Sequence, residues 1–224
     1  MDDPWAWLEP IRERHLAAPL LDRLPIRAVA RDEYWAIHED AFRRHYPPEA
    51  YLDLRRVLDA EAAARAQRVD RSEAAGRREE FWVAGDGERP LALFSGRTAG
   101  DGRYQVYHVN VHPDLRRQGA LTAILDRLLA YTAEAGFDQA VSEHAPANSA
   151  VVIAFLRRGF RIAGLVLDAA HGPSIQLAYF HHPEHLAAYE LRNGMATLTP
   201  ALRGAGYGAF ETLASQFAAP PPPP

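Results

Sequence analysis

The sequence predicts an α+β fold in which helices cover both faces of a central mixed, mostly antiparallel sheet of about seven strands. Three observations predict it. The sequence Ala-Gly-Asp-Gly at 99–102 separates two strand-like segments and is typical of a β-hairpin turn. Apolar residues recur at helical spacing between Pro113 and Gly136. From Ile26 onward the segments follow the order strand, two helices, three strands, helix, strand, helix, two strands.

The length and composition fit one ordered domain with extensions, since the chain has 224 residues. No run of about 18 apolar residues occurs, so we expect no membrane span. The acidic start lacks the features of a secretion signal, and a cytoplasmic location is therefore expected. The chain contains 0 cysteines, which excludes disulfides, thiolate zinc sites and cysteine nucleophiles.

The charge distribution argues against nucleic-acid binding. The formal net charge is -4, and the sequence has no basic stripe with interleaved aromatic residues. All 25 basic residues are arginines, so no lysine can form a Schiff base or act as a base.

The segment up to Val111 combines an N-terminal extension with the first four predicted strands. Residues 1–24 are expected to form a helical extension, because Asp3 before Pro4 is typical of a helix start. Asp32 is in position to cap the next helix, and the polar stretch 69–80 predicts a solvated loop. The predicted elements are a strand at 26–29, helices at about 31–44 and 48–68, and strands at about 80–85, 90–97 and 103–111.

The later segments alternate between helix and strand. Gly136 and Gly159 each end a predicted helix, as glycine commonly does. The predicted elements are strands at 138–143, 160–167 and 174–180, a helix whose apolar face runs from Leu121 to Thr132, and helices at about 148–158, 183–193 and 207–218. We therefore divide the chain into an extension (1–24), one domain (25–182), a C-terminal helical extension (183–218) and a proline tail (219–224). The tail is expected to be stiff and solvated rather than a ligand for a partner.

The segment from Val109 to Thr122 predicts a binding site for an anion. A strand runs into a short basic turn that contains Gly119, and a long helix follows. Backbone N–H groups at a helix N-terminus lack partners and carry the positive end of the helix dipole. Gly119 lets a phosphate approach the backbone, while Arg116 and Arg117 add positive charge. The residues alone therefore predict a cradle for a pyrophosphate.

This segment resembles motif A of the GCN5-related N-acetyltransferase (GNAT) superfamily, in which Arg/Gln-x-x-Gly-x-Gly/Ala follows a strand ending in Val-x-Pro. Arg116 and Gly119 match the motif, whereas Leu121 stands at its last small position. A second match is Asn148, which opens a helix that closes on Gly159-Phe160 with the spacing of the family. The resemblance covers about residues 25–180.

The resemblance implies an N-acetyltransferase that moves an acetyl group from its co-substrate acetyl-CoA to an amine, without a metal. Residues 116–122 would hold the pyrophosphate, and the strand at 109–111 would diverge from the one at 138–143 to admit the pantetheine arm. A backbone N–H near Val111 would polarise the acetyl carbonyl, and Asn148 would bind the arm. The implied cofactor-binding residues are Val109, Asn110, Val111, Arg116, Arg117, Gln118, Gly119, Ala120, Leu121, Thr122, Asn148 and Phe155.

The residues that many members of the family use for proton transfer are missing. Tyr107 stands where many members have a Glu, and Phe155 stands where many have a Tyr. Our candidate catalytic residues are therefore Tyr107, Glu143 and His144, the last two at the end of the strand that faces motif A. Alternatively, an acceptor amine of low pKa arrives neutral and needs no protein base.

His108 lies on the predicted strand before motif A. We interpret it as a packed or surface residue rather than a base. Without a bulge, His108 and Asn110 lie on the face of the sheet opposite to Tyr107, Val109 and Val111. A bulge in the strand would swap these faces.

Several alternatives stay open at this point. The histidine-rich stretch 181–185 lacks the helical spacing of a metalloprotease site, so no metal is expected. The alternative function is a module of the same fold that binds acyl-CoA without turnover. The identity of the amine, which is a small molecule or a peptide, and the formation of a homodimer are not determined by the sequence.

Overall fold

The computed structural model describes residues 3–45, 54–74, 76–87 and 89–217. The chain divides into two compact units, Met1–Tyr179 and Phe180–Pro224. The predicted N-terminal extension is part of the first unit, and the predicted proline tail lies outside the described residues.

Seven strands form one sheet in the order β1-β2-β3-β4-β5-β7-β6. Neighbours from β1 to β4 are antiparallel, β4 and β5 are parallel, and β6 and β7 are antiparallel. The mixed, mostly antiparallel sheet predicted from the sequence is thereby confirmed. The strands are β1 (Ile26–Ala28), β2 (Glu79–Asp86), β3 (Arg89–Thr98), β4 (Arg103–Val111), β5 (Gln139–His144), β6 (Arg161–Asp168) and β7 (Gly172–Phe180).

The helices of the first unit are α1 (Glu9–Ala17), α2 (Arg31–Ile37), α3 (Ala60–Ala74), α4 (Ala120–Glu134) and α5 (Ser149–Arg157). A 3-10 turn at Ala6–Leu8 precedes α1, and Asp3 accepts a hydrogen bond from the Trp5 amide at 2.9 Å. The second unit contains α6 (Pro183–Arg192), α7 (Pro200–Gly204) and α8 (Ala209–Phe217). The short helix α7 was not predicted.

One prediction for the segment between β1 and β2 is wrong. Asp32 does not cap α2, because Ala30 holds the N-cap position and Asp32 lies in the first helical turn. The predicted helical stretch at 31–44 is confirmed: it is α-helical to Ile37, and a π turn (His38–Phe42) and a 3-10 turn (Arg43–His45) follow.

The predicted loop at 69–80 is also wrong in its first half, because α3 continues to Ala74. Asp59 accepts a hydrogen bond from the Ala62 amide at 2.7 Å at the start of this helix. Alanine, arginine and glutamate favour helix without an apolar face, so polarity alone did not identify a loop. Residues 48–53 of the predicted helix at 48–68 lie outside the described residues.

The two faces of the sheet carry separate clusters of buried side chains. On the face that we call the α4 face, α1 and α4 pack over a cluster that includes Trp82, Phe94, Tyr104, Ile124 and Leu128. On the opposite face, the α2 face, a smaller cluster consists of Tyr34, Phe42, Phe81, Val83 and Leu93.

Strand β4 contains a bulge at Tyr107. Ser95 of β3 pairs with His108, and the next residue, Gly96, pairs with Val106, so Tyr107 is an extra residue. The bulge places Val109 on the α4 face together with Val106. The side chains of β4 therefore do not alternate regularly at the bulge, because those of Tyr107 and His108 both lie on the α2 face. His108 contacts the ring of Tyr34, and Tyr107 contacts Arg97.

The bulge lies beside a close approach between β3 and β4. A Cβ atom added to Gly96 would lie 2.2 Å from Cε1 of Tyr104, whose ring is fully buried. The Tyr104 hydroxyl donates a hydrogen bond to Glu80 at 3.0 Å, which holds the ring in place. Gly96 is therefore required by packing, although its own backbone conformation is open to any residue.

We expect Gly96→Ala to lower the free energy of unfolding by roughly 1–3 kcal/mol, since the added methyl group must displace the buried Tyr104 ring. The measurement is urea unfolding followed by tryptophan fluorescence. All 4 tryptophans lie in the first unit, so the signal reports this unit alone.

Gly76→Ala is the matched control, because a Cβ at Gly76 meets no atom within 4 Å. It should change the stability by less than about 0.5 kcal/mol. Equal effects of the two substitutions would contradict the packing argument.

Candidate functional site

Strands β4 and β5 are paired over only part of their length and then separate within the sheet. They pair only at Arg103 with Gln139, Tyr104 with Ala140 and Gln105 with Val141. One step further, the Ser142 hydroxyl donates to the Val106 carbonyl at 3.0 Å. Beyond this point the two strands are not paired, which leaves the gap that was expected between 109–111 and 138–143.

Two backbone amides of β4 are directed into this gap. The His112 amide donates to the Leu91 carbonyl of the β3 side at 2.9 Å. Amides alternate in direction along a strand, so those of Val111 and Val109 point away from β3 and toward the gap. The gap therefore offers hydrogen-bond donors about 7 Å apart along β4.

The turn before α4 presents a second group of backbone donors. Gly119 is the N-cap of α4 with φ 84°, and Arg117 also has a positive φ of 63°. In the part of the chain that the structure describes, the amides of 117–122 donate no hydrogen bond. A Cβ at Gly119 would meet no atom within 4 Å, so the space before these amides is open. This arrangement is typical of an anion site.

Hydrogen bonds and an ion pair between polar groups hold the turn in place. Gln118 donates to the Asp114 carbonyl at 2.6 Å and accepts from Arg23 at 2.8 Å. Asp114 pairs with Arg89, whose hydrogen bond lowers the pKa of the Asp114 carboxyl. Arg116 donates through Nε to the Val111 carbonyl at 3.2 Å, which ties the turn to the end of β4.

Two of the predicted cofactor-binding residues lie on α5 and differ in their surroundings. Asn148 is exposed at the N-cap position, and its side chain makes no capping hydrogen bond. The side-chain amide of Asn148 is therefore available to bind a ligand. Phe155 is fully buried, with its ring centroid 4.5 Å from that of His144 and 4.8 Å from that of Phe160. Phe155 packs in the core and presents no surface to a ligand.

Of the predicted catalytic residues, His144 has the most defined hydrogen bonding, through its neighbour Ser142. Its Nε2 lies 2.9 Å from the Ser142 hydroxyl, which uses its single hydrogen for the Val106 carbonyl. Nε2 must therefore donate, and the lone pair of the neutral ring lies on Nδ1. Burial lowers the pKa of His144 to about 4, so the ring is neutral near pH 7.

The other two predicted catalytic residues are more exposed. Glu143 accepts a hydrogen bond from Gln176 of β7 at 2.9 Å. Tyr107 is 48% exposed at the bulge, and its ring centroid lies 4.3 Å from Cζ of Arg97. The structure thus places Tyr107 on β4, where the strands separate, and both other residues on β5. The ring of His144 packs against Phe155, and Glu143 is bound by Gln176.

His108 belongs to a polar cluster that the sequence did not predict. Its Nδ1 lies 2.7 Å from the Tyr34 hydroxyl, and its Nε2 lies 2.7 Å from the amide nitrogen of Asn110. Burial and the nearby His38 lower the pKa of His108 to about 4. Asn110 is itself buried, so its side chain joins this cluster rather than the gap. No local signal links Tyr34 to His108, because only the packing of α2 on β4 joins them.

Among the described residues, no group of three or more histidine, aspartate or glutamate side chains could hold a metal ion. None of the described helices is long and apolar enough to cross a membrane.

The chain is similar to known acetyltransferases. The model of the acetyltransferase (GNAT) family matches residues 30–160. The solved structure of RimL, a ribosomal L7/L12 α-N-protein acetyltransferase in complex with coenzyme A, is 16% identical. The match covers 73% of this chain and 97% of RimL, with a TM-score of 0.53. A GNAT-family structure from Desulfovibrio desulfuricans is 16% identical over 71% of this chain and 99% of that one, with a TM-score of 0.50. No curated protein matches the sequence.

We expect Gly119→Asp to abolish the binding of coenzyme A, because a carboxylate would enter the space in front of the amides of the turn. Coenzyme A at 100 times its Kd should stabilise the wild-type protein by about 2.7 kcal/mol, seen as a rise in Tm. The mutant should show no rise.

Gly119→Asn is the matched control, since asparagine has nearly the same shape, tolerates a positive φ and carries no charge. It should retain part of the thermal shift. An unchanged shift in Gly119→Asp would show that the phosphates bind elsewhere.

Proposed function

The chain belongs to the GNAT family of acetyltransferases, and we propose that it transfers the acetyl group of acetyl-CoA directly to an amine that binds on the α2 face of β4. The observation that carries the proposal is the gap between β4 and β5, which leads from the amide-rich turn at 117–122 to the bulge at Tyr107. The amides of the turn would bind a phosphate group at one end of the gap. An amide of β4 would bind a reacting carbonyl nearer the other end.

The residues at the gap fit acetyl-CoA as the co-substrate. The amides of 117–122 and the open space at Gly119 suit a pyrophosphate. About 13 Å of β4 separates Val111 from Tyr107, so an extended arm lying along the strand reaches the bulge. The uncommitted side chain of Asn148 would bind an amide of that arm from the side of α5.

Acetyl-CoA would supply an activated acyl group in the form of a thioester. The amide of Val109 would donate to its carbonyl oxygen, where negative charge develops as the amine attacks, and the amide of Val111 would donate to the arm. These donors are held by the pairing of β4 with β3, so they need no rearrangement during the reaction. Stabilisation of this charge and orientation of the two reactants would supply most of the rate.

Direct transfer is supported by the residues that the chain lacks. It contains no cysteine and no lysine, so neither a thiol nor a side-chain amine can carry the acetyl group between the substrates. The C–N bond would therefore form as the C–S bond breaks. The amine would lose a proton and the departing thiolate would gain one.

We propose that the proton leaves the amine through a chain of water molecules that crosses the gap toward Nδ1 of His144, whose ring packs on Phe155 at the α4 face. The lone pair on Nδ1 follows from the hydrogen bonds of Ser142, and burial, which lowers the pKa, keeps this ring neutral near pH 7. Glu143 is the second acceptor candidate, and the exposed Tyr107 hydroxyl is the candidate donor to the thiolate. An amine that arrives neutral would need only the last step.

The rival function is an acyl-CoA-binding module without turnover. It is favoured by the buried Phe155, which stands where many family members have a tyrosine and can donate no proton. Release of free thiol from acetyl-CoA with a panel of amines separates the two functions. The similarity to RimL concerns the fold, so the panel should contain small amines, amino acids and peptides.

We expect His144→Ala to lower kcat by about 10²- to 10⁴-fold, the usual contribution of one positioned proton acceptor. The Kd for acetyl-CoA should change little. In the wild-type enzyme, His144 accepts a proton only while neutral, so its own contribution should be lost only as the pH falls toward 4. The measurement is kcat between pH 4.5 and pH 9, with Glu143→Gln assayed in parallel.

His171→Ala is the control, since this histidine lies in the turn between β6 and β7. It should leave kcat unchanged. If both His144→Ala and Glu143→Gln keep the wild-type kcat between pH 6 and pH 9, the water path is wrong, and Tyr107→Phe becomes the next test.

A further inference from the structure

Arg97 of β3 lies beside the bulge with its charge directed over an exposed ring. Its Nε donates to the side-chain oxygen of Gln105 at 2.7 Å, and its Cζ lies 4.3 Å above the ring of Tyr107. Gln105 is the last residue of β4 that pairs with β5. The three residues, which we call the apex cluster, therefore lie where the gap between the strands begins.

The apex cluster lies on the side from which an acceptor can approach. On the α4 face, Tyr104 and Val106 are buried under the main core. On the α2 face, Tyr107 is 48% exposed and Arg97 and Gln105 are partly exposed. An amine that approaches Tyr107 on the α2 face therefore lies near the guanidinium of Arg97, which stacks on that ring.

The charge of Arg97 is not neutralised by a neighbour. Glu79 stands opposite Arg97 in the register of β2 and β3, but its carboxylate binds Arg31 at 2.5 Å. Arg97 forms no ion pair with any residue that the structure describes. Because Glu79 is bound to Arg31, the guanidinium of Arg97 has no carboxylate partner among the described residues, and the apex cluster carries a net positive charge.

The orientation of Arg97 suits recognition of a carboxylate. The hydrogen bond to Gln105 uses Nε, and the stacking on Tyr107 fixes the plane of the guanidinium. Both terminal nitrogens keep their N–H donors, which match the two oxygens of a carboxylate in a bidentate pair. A ligand with only positive charges, such as a polyamine, would be repelled here.

We propose that Arg97, held by Gln105 and Tyr107, binds a carboxylate of the acceptor, so that the substrate is an amine that also carries a carboxylate, such as an amino acid. This inference rests on the proposed function, because it assigns the substrate class of the same site. Arg97 is a specificity-determining residue in this account, and it takes no part in the bond that forms.

The test compares acceptors that differ only in the carboxylate: a set of L-amino acids, each paired with its decarboxylated amine. Thiol release from acetyl-CoA gives kcat/KM for both members of a pair. The wild-type enzyme should prefer the amino acid by at least about 10-fold. Arg97→Gln should remove this preference through a higher KM for the amino acid, and it should not lower kcat/KM for the decarboxylated amine. Arg97→Lys should restore part of it.

Arg65→Gln is the matched control, because it removes one arginine charge from α3, where Arg65 is paired with Glu61. It should leave the preference intact. A wild-type enzyme that acetylates the decarboxylated amine as well as the amino acid would overturn the inference. So would an Arg97→Gln enzyme that loses both activities equally.

A binding measurement separates this inference from the proposed function. An N-acetyl amino acid keeps the carboxylate and has no reactive amine, so its Kd in the presence of coenzyme A reports the carboxylate site without turnover. Its binding should weaken by at least about 10-fold in Arg97→Gln. Such a loss without any thiol release would support the carboxylate site and contradict the acetyltransferase function. Equal binding to both proteins would overturn the carboxylate site itself.

Discussion

The pairing of β4 with its two neighbours is the constraint on which the site depends. On one side β4 is held by β3 along nearly its whole length, and on the other side its pairing with β5 ends at Gln105 and Val141. The backbone donors of Val109 and Val111 are therefore rigid and yet have no strand to bind. A rigid row of donors without partners is what a preorganised site for a carbonyl or an amide requires.

The bulge at Tyr107 connects this gap to the rest of the candidate site. Because one extra residue is inserted, Val109 stays over the core on the α4 face while Tyr107 and His108 both face α2. The exposed residue joins Arg97 in the apex cluster, and the buried one joins Tyr34 and Asn110. The close approach of Gly96 to the Tyr104 ring lies at the same point, so the packing of the core supports the local geometry.

Much of the fold and half of the site could be predicted from the sequence, for identifiable reasons. The strands, α4 and the turn at Gly119 have local signals: alternation, helical spacing and a glycine before an apolar helix. The end of α2 and the extension of α3 have no such signal, because polar helix formers such as those of 69–74 look like a loop. The bulge and the contacts of His108 and Arg97 depend on residues from other strands, so no local pattern shows them.

The most direct test of this account is hydrogen–deuterium exchange at single amides, measured by NMR with and without acetyl-CoA. Acetyl-CoA should slow exchange at Val109, Val111 and residues 117–122, whose amides have no partner within the described chain. The His112 amide, already bound to Leu91, should change little. Protection that is absent at Val109 and Val111 while acetyl-CoA is bound would contradict the central claim that the gap between β4 and β5 holds the reacting group.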